Sequence, residues 1–223
     1  MTGILDSVQE FLALGGPVVA ILLAMSVLAL ALVLVKLWQF QRAGLGAHGP
    51  ILAALDQFDR GARTAALQQA AGARNHLAPL AVLALRAEGE GEALRARLTG
   101  LAEEAIARLQ SGFRLLDSIA QVAPLLGLFG TVLGMITAFQ ALQEAGANVD
   151  PSALAGGIWV ALLTTAVGLG VAMPAALVLT WFEARVAREA RLAIQIVDVA
   201  LCAGLAQEVC PLEAPHNTGL AHA

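Results

Sequence analysis

Thr131 and Thr165, with Thr164 beside the latter, put hydroxyl groups near the middle of two long uncharged runs. A threonine hydroxyl donates and accepts hydrogen bonds but does not titrate near neutral pH. Inside an apolar helix it can line a path for a proton or a sodium ion, or bond back to its own helix and serve packing alone. Gly127, Gly130, Gly134 and Ala138 accompany Thr131, and Gly157, Ala161, Gly168 and Ala172 share a helical face with Thr165. If these small faces meet around an axis, they enclose a narrow, weakly polar lumen. No Asp, Glu, His, Lys or Arg lies in the interior of any apolar run. Such a charge costs at least about 2.5–3.5 kcal/mol on insertion, and a proton path normally bears that cost somewhere. The chain therefore conducts nothing, or a second protein supplies the carboxylate.

Other reactive groups form no pattern. Cys202 and Cys210 lack metal-ligand spacing and read as free thiols in a reducing compartment. His48, His76, His216 and His222 are scattered, the last two in a tail expected to be disordered. With no nucleophile–base pair, metal cluster or phosphate loop, the expectation is a protein that is not an enzyme and uses no metal or cofactor. A net charge of -4, few aromatics and no Tyr give no footprint for nucleic acid.

The elements that must hold the threonines are membrane helices. Of 223 residues, 58% are hydrophobic and 13% charged, a composition suited to a lipid bilayer. Phe11 to Val35, Ser118 to Gln143 and Pro151 to Phe182 carry no charge. Each exceeds the roughly 20 residues that a spanning helix needs. The third, at 32 residues, would measure roughly 48 Å, so it must tilt or extend past the hydrocarbon. The fold expected is an all-α integral membrane protein with three transmembrane helices at 17–40, 118–142 and 153–182. Pro124 and Pro174 free the carbonyls of Ala120 and Gly170, and Pro124 is expected to bend the start of its span. Gly130 and Gly134 make a small-xxx-small pair that lets a second backbone approach.

Between the first and second spans, residues 41–117 carry nine arginines and eight acidic residues. Ile51–Ala71 reads as one helix, and Asn75 and Pro79 punctuate a break. The spacing of Leu94, Leu98, Leu101, Ala105, Leu109, Phe113 and Leu116 predicts a helix that continues unbroken into the second span. After Trp181 an amphipathic stretch to about Leu205 is expected to pack on the other helices of this region. All 13 Lys and Arg fall at Lys36, in 42–114 or in 185–191. Residues 1–16 and the 143–152 loop have none. By the positive-inside rule the chain is N-out and C-in. That puts 1–16 and 143–152 in the periplasm, and 41–117 and 183–223 in the cytoplasm. The first run, followed rather than preceded by positive charge, is an anchor and not a cleaved signal peptide.

Ala123-Pro-Leu-Leu-Gly-Leu-Phe-Gly-Thr-Val-Leu-Gly-Met135 and Gly156-Gly-Ile-Trp-Val-Ala-Leu-Leu-Thr-Thr-Ala-Val-Gly-Leu-Gly-Val-Ala-Met-Pro-Ala175 resemble the MotA/TolQ/ExbB proton channel family. The three-span layout resembles it too, and residues 15–40 look like its short ExbB branch. The resemblance covers nearly the whole chain. It implies a homo-oligomeric ring, typically a pentamer, in the bacterial inner membrane, around a single-span ExbD- or TolR-like partner whose helix carries a titrating aspartate. It further implies that Thr131 and Thr165 face that aspartate. Proton flow would then drive a TonB-like transducer for outer-membrane import, or a TolQ-like function in envelope integrity and cell division. A scaffold that only packs helices is the rival. Where ExbB and TolQ members usually carry a glutamate, five residues before the third-span threonine, this chain has Val160. That departure weighs against a relay through a ring carboxylate.

Overall fold

A computed structural model describes residues 2–87, 92–145 and 151–201. All regular structure there is helical: α1 (Thr2–Arg42), α2 (Gly49–Asp59), α3 (Arg63–Ala71), α4 (Ala78–Arg86), α5 (Glu92–Gln110), α6 (Phe113–Ala145) and α7 (Pro151–Leu201). Three helices are long and apolar enough to cross a membrane: Gly16–Arg42, Phe113–Glu144 and Leu154–Leu201. The last covers 48 residues, more than twice what a bilayer needs. Only its charge-free part, up to Phe182, suits hydrocarbon. Cys202, Cys210, His216, His222 and the end of the amphipathic stretch lie outside the described residues, as do residues 146–150 of the 143–152 loop.

The helices divide into two compact units. The first contains residues 1–40 and 110–184. Within α1, Gly16 adopts φ 62 and ψ −162, and the helix resumes at Pro17. That order is physically sound, because Gly takes the left-handed φ that side chains resist and Pro suits the first turn after it. Val18 and Leu22 of α1 are buried with Ala123 of α6 and Ala172 of α7. Farther along, Phe40, Phe113 and Phe182 join the three helices. Phe40 and Phe182 meet edge-on with centroids 5.2 Å apart, and Phe113 stacks on Phe182 at 5.9 Å. The outward faces stay exposed, including Val27, Leu30, Leu125, Phe129, Trp159, Leu162 and Leu177. Apolar area of that extent calls for lipid or further copies as its surroundings.

The second unit contains residues 41–109 and 185–223. Ile51 and Leu55 of α2, Ala66 and Ala70 of α3, Leu80, Ala81, Ala84 and Leu85 of α4, Leu98 and Ala102 of α5, and Leu192, Ala193, Ile196 and Val197 of α7 form one core. The i, i+3, i+4 spacing of these residues gives each helix a single buried stripe. The end of α7 thus packs on α2–α5, as its amphipathic pattern implies.

Two expectations need correction, both at glycines. Ile51–Ala71 is two helices, because Gly61 turns the chain at φ 83 between α2 and α3. The helix predicted to run from 92 through the second span is broken at Ser111-Gly112, where Gly112 has φ 84. A left-handed residue ends an α-helix by directing the next peptide off its axis. Pro124 and Pro174, by contrast, lie inside helices that continue through them.

A Cβ on Gly168 would stand 2.6 Å from the Ala123 carbonyl oxygen, whereas one on Gly170 would meet nothing within 4 Å. Gly168→Ala should therefore lower unfolding stability in detergent by about 1–3 kcal/mol through overpacking. Gly170→Ala should hold or raise it, since Ala favours helix over Gly. Thermal unfolding of the two purified variants measures the contrast.

Candidate functional site

α6 and α7 touch backbone to backbone along a seam of small residues. Cβ atoms built on the seam glycines would collide with the opposite helix. On Gly127 one would lie 3.0 Å from the Thr164 carbonyl oxygen, and on Gly130 2.6 Å from the Thr164 hydroxyl. On Gly134 it would lie 2.8 Å from Ala161 Cβ, and on Gly157 2.8 Å from Ala138 Cβ. Such contact is how membrane helices gain packing when lipid offers no hydrophobic drive. The glycines singled out from the sequence thus pack α6 against α7 within a single chain.

The same seam collects the hydroxyls. Thr165 Oγ1 donates across the seam to the Gly127 carbonyl at 3.0 Å. Thr164 Oγ1 is 2.7 Å from the Ala161 carbonyl of its own helix and 3.2 Å from that of Gly127. Thr131, one turn beyond Gly127, donates to the Leu128 carbonyl at 2.6 Å. Thr164 is buried, while Thr131 and Thr165 are half-buried. Thr131 back-bonds as a packing threonine does. Thr165 reaches across to the other helix.

A groove of about 510 Å³ follows one edge of the seam, lined by Gly16, Pro17 and Val18 of α1, Gly130, Gly134 and Thr137 of α6, and Val160 and Thr164 of α7, among others. Thr131 and Thr165 are not part of its lining. At 100° per residue, Val160 and Thr165 point about 140° apart around α7. Val160 therefore faces the α1 side, and Thr165 the opposite flank.

Two polar clusters escaped the sequence reading. In the first unit Lys36 is buried at 6% exposure, held 2.8 Å from Gln39 Oε1 and 3.2 Å from Ser111 Oγ. Its ammonium also lies 5.5 Å from the centre of the Phe113 ring. A cation removed from water needs such partners. In the second unit Glu189 is 1% exposed. His48 Nε2 lies 2.7 Å from Glu189 Oε1, the Gly46 amide donates to the same oxygen at 2.9 Å, and Asn75 Nδ2 donates to Oε2 at 3.3 Å. His76 Nδ1 is 3.8 Å from that second oxygen. The loop after α1 and the turn before α4 are thereby tied to α7. Gly44 lets them touch, since a Cβ there would fall 1.8 Å from the Arg74 carbonyl oxygen. Burial pushes the Glu189 carboxyl up, but the bonds from His48, Gly46 and Asn75 outweigh it and hold the pKa below the ordinary value. Burial holds the His76 imidazole below its ordinary 6.5, against the pull of Glu189. No spacing rule links His48 or His76 to a glutamate more than a hundred residues on, so only the folded chain reveals the cluster. Among the described residues no group of three or more His, Cys, Asp or Glu is placed to hold a metal ion.

Residues 64–193, which include the whole threonine seam and Glu189, match the MotA/TolQ/ExbB proton channel family. An ExbB-like biopolymer transport protein of Synechocystis sp. is 37% identical over 182 residues, covering 76% of this chain and 68% of the relative. The biopolymer transport protein exbB1 of Vibrio cholerae is 47% identical over 68 residues, 30% of each chain. An ExbB homolog of Methanothermobacter thermautotrophicus is 48% identical over 68 residues, 30% of this chain and 23% of that one. The last two matches thus span less than a third of those relatives.

The His76 and Glu189 shifts fix a sign for pH. Unfolded, His76 takes a proton near pH 6.5 that the folded, buried ring resists, so stability falls as pH drops below about 6.5 toward the folded pKa. Glu189, lowered from 4.5, adds a second loss as pH falls below 4.5 and through its folded pKa. Unfolding temperature measured from pH 8 to 4 should decline in that order, and His76→Phe should flatten the upper part of the decline.

Proposed function

Because the chain belongs to the MotA/TolQ/ExbB proton channel family, we propose that it is the ring subunit of an inner-membrane motor driven by protons. It works with a single-span, ExbD-like partner and delivers force to a TonB-like transducer for outer-membrane import. The observation that carries this reading is a contrast within the first unit. α6 and α7 hold three hydroxyls at or beside their seam, yet their uncharged runs contain no titratable residue. A proton path through such a ring needs its carboxylate from another chain, as an ExbD-like helix would provide.

In this arrangement residues 17–40, 118–142 and 153–182 span the bilayer. Residues 1–16 and 143–152 face the periplasm, and 41–117 and 183–223 the cytoplasm. The distribution of Lys and Arg supports that orientation. Trp38, Trp159 and Trp181, all exposed, suit the two membrane–water interfaces. Several copies, five by analogy with the family, surround the partner with Thr131 and Thr165 toward the axis. The exposed apolar faces of the spans then meet lipid and neighbouring copies. Val160 keeps the ring itself free of a carboxylate at the family's usual position.

Complementing a deletion strain with Thr131→Ala or Thr165→Val should reduce uptake of iron-bound siderophore at least tenfold, while cross-linking still recovers the assembled ring. Normal uptake by both variants would favour a scaffold in which the seam only packs. Envelope leakage and chained cells with intact uptake would assign the chain to the TolQ-like function instead.

A further inference from the structure

We propose that His76 is a pH sensor for the segment that follows α1: a proton taken up by its ring releases that segment from α7 and slows the motor. The inference goes beyond the ring-subunit reading but rests on it for the motor and for the cytoplasmic placement of residues 41–117 and 183–223.

The ring sits where a neutral imidazole fits and an imidazolium does not. Both ring nitrogens are buried, and neither has a hydrogen-bond partner among the described residues. Nδ1 is 3.8 Å from Glu189 Oε2, beyond hydrogen-bond reach. That oxygen already accepts from Asn75 Nδ2 at 3.3 Å. An imidazolium carries a donor on each nitrogen. Glu189 satisfies the first only if ring and carboxylate close up and Asn75 gives way. Nε2 has no acceptor in place, and a buried donor without one is costly. The protonated ring therefore turns out to water, where both donors are satisfied.

The ring cannot leave alone, because the segment around it is bonded on both sides. The His76 amide donates to the Ala43 carbonyl at 3.0 Å. Asn75 Nδ2 lies 3.4 Å from the Gly44 carbonyl, and Asn75 Oδ1 accepts from the Leu77 amide at 2.8 Å just before α4. Residues 43–46 are in turn held to α7 through the Gly46 amide and Glu189. A displaced His76 thus strains the ties of the post-α1 segment to both α4 and α7.

The charged groups that act on the ring are Glu189 of α7 and His48 at the start of α2. Arg185 and Arg188 of α7 line a cavity with His48 and Glu189 in which His76 has no share. Arg42 and Arg74, nearby in the chain, are exposed. Burial is the leading influence and favours the neutral ring, His48 favours it too, and Glu189 opposes both. The closed cluster therefore binds a proton less well than the open one, whose ring titrates near its ordinary 6.5. Opening is favoured as pH falls below about 6.5, and above that value the sensor is silent. His48 differs, since it already lies 2.7 Å from Glu189 Oε1, and a proton there strengthens a bond that exists.

The test uses the full complex with its single-span partner, reconstituted in lipid vesicles. Amide hydrogen exchange gives protection factors for Gly46, His76 and Leu77 with the cytoplasmic face at about pH 7.5 and about pH 5.5, and proton flux is recorded at both under equal driving force. Uptake of one proton lowers protection by up to about tenfold over that interval. His76→Phe keeps a planar ring that cannot titrate. It should abolish the fall in protection, match wild-type flux at the higher pH and exceed it several-fold at the lower. His76→Gln should do the same and serves if the phenylalanine variant fails to assemble. Protection that stays constant, or that falls equally in the His76 variants, would overturn the sensor and leave the ring reading intact. Flux indifferent to the His76 substitutions would overturn its hold on the motor. A wild-type complex with no flux at either pH would overturn the ring reading, while the protection factors still decide whether His76 releases the segment.

Discussion

Two helix backbones in direct contact are the constraint on which the first unit depends. Glycine is, after proline, the least favourable residue for a helix interior in water, yet Gly127, Gly130, Gly134 and Gly168 all lie inside α6 or α7. The contact explains them, since every added Cβ would strike the facing helix. In lipid, helices gain little by hiding apolar surface from one another, so close van der Waals contact and hydrogen bonds between helices must supply the specificity. The seam provides both at one place. The approach that excludes side chains at Gly127 is the approach that lets Thr165 reach its carbonyl.

Polar groups elsewhere obey a complementary rule. Lys36 and Glu189 are the two strongly charged side chains buried among the described residues, at 6% and 1% exposure, and each is surrounded by donors or acceptors of the right kind. A buried carboxylate left unpaired would cost several kcal/mol. The bonds from His48, Gly46 and Asn75 offset that cost while joining three stretches of chain that are far apart in sequence. The second unit is therefore held by an apolar core and by one buried polar knot, which fixes where its connecting segments lie.

The sequence revealed what depends on periodicity and composition. Three uncharged runs became three long helices, and the small residues near Thr131 and Thr165 became the α6–α7 seam. It was less informative where a single dihedral decides. Gly61 and Gly112 sit in stretches whose apolar spacing continues past them, and spacing does not show that either will adopt a positive φ. Glu189 was hidden for a different reason. It lies in a charged segment, Glu183 to Arg191, in which the spacing does not single out the charge that will be buried. Only the fold brings His48 and Asn75 against it. Thr165 could be singled out from its small face, but the acceptor it bonds sits on another helix, and no rule of spacing identifies Gly127 in that capacity.

Loops between helices are ordinarily where related proteins gain and lose residues most freely. The connection after α1 has no such latitude. Gly44 touches the Arg74 carbonyl so closely that even a methyl group cannot fit, and two residues on, the Gly46 amide is engaged by Glu189. Length and composition are thus pinned at both points. The turn at Gly61 is different, for a Cβ there would meet nothing within 4 Å. As related sequences diverge, insertions and an engineered label would be absorbed at that second turn, while the connection after α1 would keep its length even where the helices around it have changed.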